Sequence, residues 1–217
     1  MILEGLLTTT DDAGQVNLAP MGPRWEEQPE RLVLRPFRTS RTYANLRATG
    51  RSVFHVVDDV LLLARAAIGQ LEPPPKMRSL PAGAGWVLED ACRWMALEVE
   101  RWTELGERTT AVCRIVDRGR IRDFIGLNRA KHAVVEAAIL ATRRHMIAAN
   151  ILAAELARLE PLISKTGGAA EQQAFRLIGD YIRAAPRPTG PESRASPATT
   201  EGHSAEARPA TGDSVAT

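Results

Sequence analysis

The sequence is poor in the residues that announce particular chemistries. It has two cysteines, Cys92 and Cys113, too few for a disulfide framework and matching no zinc spacing. Both stand in apolar, strand-like runs, which predicts buried free thiols in a reducing compartment. Aromatic residues make up only 5% of the chain, which argues against a platform for stacking nucleic-acid bases. The net charge is only +2 and the arginines are scattered, so no concentrated basic face points to nucleic acid. No run of about 18 apolar residues is present, so no membrane span is expected. The start, Met1 to Gly5, lacks a basic region followed by an apolar core. A cytoplasmic protein is the expectation. There is no Gly-x-Ser-x-Gly motif. His55, His132, His145 and His203 are not clustered with carboxylates, so no metal site is expected.

What is present is a globular composition, 44% hydrophobic and 25% charged over 217 residues. Residues 2–9 read as a strand, Asp11 to Gly14 as a turn, and residues 15–21 as a returning strand that ends in Pro20-Met21-Gly22-Pro23. Residues 30–35 form the next apolar run. A short helix follows over 39–49 with Gly50 as its C-cap. Ser52 to Val57 is a nearly all-apolar strand, and Asp59 can cap a helix over 60–68. The Pro- and Gly-rich stretch 69–85, with Pro73-Pro74-Pro75, reads as a loop and a candidate flap over a site. Residues 92–105 alternate, with Trp94, Ala96, Glu98 and Glu100 on one face and Met95, Leu97, Val99 and Arg101 on the other. Gly106-Glu107 reads as a turn, and 109–116 pairs back. Strands joined by short helices predict a β-barrel and not a doubly wound sheet.

Beyond residue 125 the character changes. Residues 128–163 predict a long helix, broken once near Asn150, and 169–185 a second, giving a helical hairpin. The first is too apolar for a lone surface helix, so it should pack on the barrel or on a second subunit. The segments are thus 1–125, 126–185 and a Pro/Ala/Ser/Thr-rich tail, 186–217, which cannot offset its own ordering entropy and is expected to be disordered.

One stretch concentrates anion-binding chemistry: Arg35-Pro36-Phe37-Arg38-Thr39-Ser40-Arg41-Thr42-Tyr43-Ala44-Asn45-Leu46. Guanidinium groups at Arg38 and Arg41 and hydroxyls at Thr39, Ser40 and Thr42 meet at a helix start. Free backbone N–H groups there favour an anion, and arginine adds donors matched to phosphate oxygens. The same residues also make an ordinary N-cap, and both readings stand. Asp58 and Asp59 follow a buried strand; one caps a helix, and the other could orient the polar edge of a ligand or hold Arg38 or Arg41. His55 reads as a core histidine. The helix stripe Arg129, His132, Glu136 and Arg143 reads as a solvated face or as the polar wall of a cleft.

Taken together, Asn17-Leu18-Ala19-Pro20-Met21-Gly22, the Phe37-Arg38-Thr39-Ser40-Arg41-Thr42-Tyr43-x-Asn45-Leu46 motif and the strand ending Val57-Asp58-Asp59 resemble the FMN-binding split-barrel flavoproteins. With Glu98-Val99, Asn128-Arg129-Ala130 and Val135-Glu136-Ala137, the resemblance narrows to the domain-of-unknown-function family 447, over residues 1–185. It implies an α+β fold: a split β-barrel of about six antiparallel strands with C-terminal helices, usually a homodimer. It implies that Arg38, Thr39, Ser40 and Thr42 hold the FMN phosphate with Asn45 nearby. Asn17, Pro20, Met21 and Gly22 would line the flavin ring, with Asp58 close to the site. His55 departs from the family, where Asn is frequent at that place. The implied function is an FMN-dependent oxidoreductase acting on a small soluble substrate. The branch's association with tetrahydromethanopterin-linked one-carbon metabolism makes a pterin one candidate. The alternatives are a non-catalytic flavin-binding or assembly protein, or the same barrel holding pyridoxal phosphate.

Overall fold

The computed structural model describes residues 1–27, 30–105 and 108–184, without the side chains of 82, 104, 105 and 108. The turn expected at Gly106-Glu107 and the tail expected from residue 186 lie outside the described residues.

The described residues build nine strands: β1 (Gly5–Thr10), β2 (Val16–Met21), β3 (Arg24–Glu27), β4 (Glu30–Leu34), β5 (Arg51–Val56), β6 (Met77–Ser79), β7 (Trp86–Leu88), β8 (Arg93–Leu105) and β9 (Arg108–Arg120). Five helices accompany them: α1 (Arg41–Thr49), α2 (Val60–Ala67), α3 (Arg129–Thr142), α4 (Ala149–Thr166) and α5 (Ala169–Arg183). Seven strands form one sheet in the order β2-β1-β5-β8-β9-β4-β3, with every described pairing antiparallel.

The sheet closes on itself through its first hairpin. Asp11 accepts the N–H groups of Ala13 and Gln15 at 3.0 and 2.8 Å, fixing the turn. That sets Gly5 opposite Met21 and Thr9 opposite Asn17. The pairing lapses at Gly22-Pro23, where proline has no N–H to give. It resumes in the same register with Ile2 opposite Arg24, and the Trp25 N–H donates to the Met1 carbonyl at 2.8 Å. The bend hands Arg24–Glu27 to β4, so one continuous hairpin supplies both edges. Charge-rich Arg24-Trp25-Glu26-Glu27 gave no apolar signal, which is why about six strands were expected.

Inside the barrel Leu7, Leu32, Leu34, Leu46, Phe54, Met95, Leu97 and Cys113 form a closed cluster. The expected alternation of β8 fails after Val99. A register shift between Val99 and Arg101 reverses the phase, so Trp102 and not Arg101 packs on this cluster.

The expected flap is built differently. Residues 77–88 form the β6–β7 hairpin with a 3₁₀ turn between its strands. Leu80 and Val87 bury themselves against Val53, Trp94 and Ala96 on the barrel's outer face. This hairpin is a patch on the wall.

Three C-terminal helices are described, and the break expected near Asn150 is present. The long helix breaks at residues 143–148, and Asn150 lies in the first turn of α4. Pro161 sits inside α4 without ending it. Asn128 caps α3 by accepting from Ala130 and Lys131, and donates to the Thr166 carbonyl at 3.0 Å. That single side chain ties the start of α3 to the end of α4. Five alanines, Ala130, Ala133, Ala137, Ala138 and Ala141, form the buried face of α3. Their small size lets α2, α4 and α5 approach, with Leu6 and Leu18 of the barrel in the same cluster. Residues 1–125 and 126–184 are therefore separate in composition but share one core.

Candidate functional site

Ser40 begins the site by ending the turn before α1. Its hydroxyl donates to the Phe37 carbonyl at 2.7 Å and accepts the Tyr43 N–H at 3.1 Å. The one proton it can give is spent on that turn. The Arg41 and Thr42 N–H groups, the first two of the helix, make no hydrogen bond with any described residue. No acid stands in the first turn of α1. The helix start therefore has a cap and two spare donors, and the cap and anion readings are compatible.

Arg38, Thr39 and Arg41 are exposed around this start. Arg41 makes no ion pair with a described residue. Six arginines and no carboxylate occur between Glu30 and Asp58. Arg31 and Arg51 face Glu100 and Glu98 across the sheet, and Arg47 lies over Trp102 at 5.0 Å. Arg38 and Arg41 are the two exposed arginines that flank the start of α1.

Beneath the helix start lies a buried polar network. The Asn17 side-chain N–H₂ donates to the Thr42 hydroxyl at 3.2 Å and to the Thr9 hydroxyl at 3.4 Å. Asn45 donates to the same Thr9 hydroxyl at 3.2 Å. Thr9, Thr42 and Asn45 are 2%, 4% and 4% exposed, so a missing partner here would cost about 1–3 kcal/mol. Both hydroxyls act as acceptors, which leaves their protons directed at no described residue. Three expected site residues, Asn17, Thr42 and Asn45, are thus brought together by one they did not include, Thr9. Its signal was in the hairpin: the Asp11–Gly14 turn sets the register that puts Thr9 opposite Asn17.

Pro20, Met21 and Gly22 lie at the other end of β2. Met21 leans on the inner core, and Gly22 is exposed. A Cβ on Gly22 would stand 3.2 Å from the Glu4 carboxylate oxygens. Partial desolvation and the nearby Glu136 carboxylate push the Glu4 carboxyl above its ordinary range. Glu136 belongs to the helix stripe, and all four stripe residues are exposed.

Asp58 stands apart from the α1 network. It is 6% exposed and grips Arg122 with both oxygens, the Nη1–Oδ2 contact being 3.0 Å. It also accepts the Ile125 N–H at 3.4 Å, and its own carbonyl accepts from Lys131 Nζ at 2.7 Å. The Arg122 contact holds its carboxyl down at about 2. It ties the end of β5 to the strap leading into α3.

His55 is fully buried and shared between three strands. Its Nε2 accepts the Leu88 N–H at 3.1 Å, so its proton sits on Nδ1, which faces the Leu6 carbonyl at 3.2 Å. Burial lowers its pKa to about 4. It is a neutral clasp, as a core reading requires. Cys92 and Cys113 are buried and free; burial pushes the Cys113 thiol up to about 12. Among the described residues no group of three or more His, Cys, Asp or Glu side chains could hold a metal. No described helix is long and apolar enough to cross a membrane.

Comparison with known proteins gives the family and the fold. Residues 3–122 match the N-terminal domain of DUF447, a protein family of unknown function, and residues 128–180 match its second segment. Among solved structures the chain is similar to an FMN-bound DUF447 protein from Methanosarcina mazei. The identity is 26% and the TM-score 0.73, covering 83% of this chain and 94% of that one. It is also similar in fold to the flavin reductase HpaC, solved with NADP+, at 15% identity and a TM-score of 0.50, over 58% of this chain and 83% of the reductase.

Proposed function

This chain belongs to the DUF447 family and has the α+β fold of the FMN-binding split barrels, and on that premise we propose that it is an FMN-binding flavoprotein acting as an oxidoreductase on a small soluble substrate. The observation that carries the reading is the start of α1. Two spare N–H groups stand there beside exposed Arg38, Thr39 and Arg41, with no acid in the first turn, and the relative with the same architecture was solved with FMN.

In this reading Arg38, Arg41, Thr39 and the first N–H groups of α1 hold the phosphate. Ser40 shapes the seat as its cap. Thr42 lends its hydroxyl, which Asn17 keeps in place, and Asn45 does the same for Thr9. Pro20, Met21 and Gly22 line the ring. Asp58 serves at a distance, by fixing the strap between barrel and helices. FMN, when bound, supplies the redox chemistry, exchanging hydride or electrons at its N5 atom. The chain's part is to bind, orient and shield it. The seat is open to solvent on one side, and a second copy of the chain closes it in a homodimer.

The test is direct. The purified protein is expected to be yellow, to release FMN on denaturation as identified by mass, and to be reduced anaerobically by NADH, NADPH or a deazaflavin donor. Reduced pterins belong among the first substrates tried. A colourless protein that takes up no FMN on titration would falsify the cofactor. Release of pyridoxal phosphate would replace it. A bound flavin that no donor reduces would favour the non-catalytic flavin-binding alternative. Sedimentation with and without FMN reads the dimer.

A further inference from the structure

The barrel has a second opening, at the end away from α1. There the inner face of the sheet surrounds a cavity of about 350 Å³, within the size range of small-molecule sites. Leu3, Trp25, Val56 and Met95 make its floor and are continuous with the inner core. The rim is cationic. Arg93 of β8 stands opposite Arg120 of β9, and Met95 opposite Arg118, so three guanidinium groups border one apolar hollow.

The charges at that rim are not balanced. Arg118 pairs with Glu30 and Arg120 with Asp123 at 2.9 Å. Arg93 is exposed and makes no ion pair with a described residue. Like charges directly opposite one another across a ladder repel, and Arg93 faces Arg120 in that way. An anion between them relieves the repulsion. A small inorganic anion would leave the apolar floor wet, and a neutral hydrocarbon would leave Arg93 unanswered. A ligand with a flat apolar body and one negative group satisfies both, with Trp25 offering an aromatic wall.

We propose that this mouth is a second binding site, taking a one- or two-ring aromatic carboxylate. It is separate from the phosphate seat. Leu3 and Thr9 are six residues apart along the first strand, about 20 Å at the rise of an extended chain. The proposal rests on the flavin ring staying outside this hollow, although Met21 packs on the same inner cluster.

The experiment is calorimetric titration of the full chain with 2-naphthoate and with its neutral analogue 2-naphthamide. The carboxylate should bind at one site per chain, at least ten-fold tighter than the amide. Arg93→Gln should close most of that gap while leaving amide binding unchanged. Leu3→Trp, with an unaltered circular dichroism spectrum, should fill the hollow and abolish binding of both. Saturating FMN should leave naphthoate binding unchanged. Equal binding of acid and amide, or naphthoate binding that survives Leu3→Trp, overturns the proposal. Displacement of naphthoate by FMN also overturns it, by giving the mouth to the flavin ring. So does an absence of naphthoate binding by a chain that Arg93→Glu converts from dimer to monomer, because a second copy then seals the mouth.

Discussion

At the scale of single residues, the α1 seat divides its labour by how many protons each group can give. Ser40 has none left after the Phe37 carbonyl, whereas an arginine brings five N–H donors. Arg38→Ala should therefore weaken FMN binding by about 1.5–3 kcal/mol, measured by fluorescence titration. An unchanged affinity would move the role to Arg41. His55 makes a second prediction at this scale. Its folded pKa of about 4 lies below the unfolded value near 6.5, so the unfolded chain binds the extra proton between them. Its contribution to stability is complete above pH 6.5 and is lost as the pH falls toward 4, about 2 kcal/mol of it by pH 5. Urea unfolding at pH 7.5 and pH 5 should show that loss, and His55→Gln should flatten it. Asp58 acts in a lower window: its carboxyl, held at about 2, gives stability above pH 3.8 that disappears only as the pH falls through 2.

At the scale of elements, β1 and β5 approach so closely that one atom matters. A Cβ on Gly5 would lie 2.3 Å from the His55 carbonyl oxygen and 2.7 Å from the Phe54 ring. Gly5→Ala should cost about 1–3 kcal/mol through forced separation of the strands, read as a lower urea midpoint at constant slope. This scale also shows what the sequence made legible. Regular alternation and turn chemistry exposed β1, β2, β4, β5 and the β8–β9 pair, because one buried face leaves a period of two. Asp59 and Asn128 marked helix starts because a cap's chemistry is local. The β6–β7 hairpin was hidden, since three-residue strands are too short to show a period. The break between α3 and α4 was expected near Asn150 and falls at residues 143–148. Residues 143–148, Arg-Arg-His-Met-Ile-Ala, contain neither glycine nor proline, and the break answers to packing around the alanine face of α3. In the candidate site, the run from Arg38 to Asn45 was readable, but Thr9 was not, because it enters through register. One of the Asp58-Asp59 pair was readable as a partner for Arg38 or Arg41, but Asp58 holds Arg122, 64 residues away.

At the scale of the whole molecule, barrel and helices are bound into one cooperative unit. Leu6 and Leu18 of the first hairpin sit in the same cluster as Leu63, Ala137 and Ile178. Leu6→Ala should cost about 2–5 kcal/mol and lower strand and helix stability together. Circular dichroism, which follows the helices, and tryptophan fluorescence, which follows the barrel walls, should give superimposable unfolding curves for the wild type and the variant. Two separated transitions would show that 1–125 folds without 126–184.

The sharing of Leu6 and Leu18 has a consequence for the order of events during synthesis. The first hairpin can pair within itself as soon as it leaves the ribosome. Yet β1 must wait for β5 to gain its second neighbour, and the β4 edge must wait for β9, more than 70 residues later in the chain. α2 covers the first hairpin early, but the apolar face that α2 turns toward α3 and α5 stays uncovered until α5 emerges with Ile178. At ordinary elongation rates of about 5–20 residues per second, a nearly complete barrel spends several seconds with that apolar surface bare. The nascent chain is thus most exposed to chaperones and to misassociation in the interval between β9 and α5.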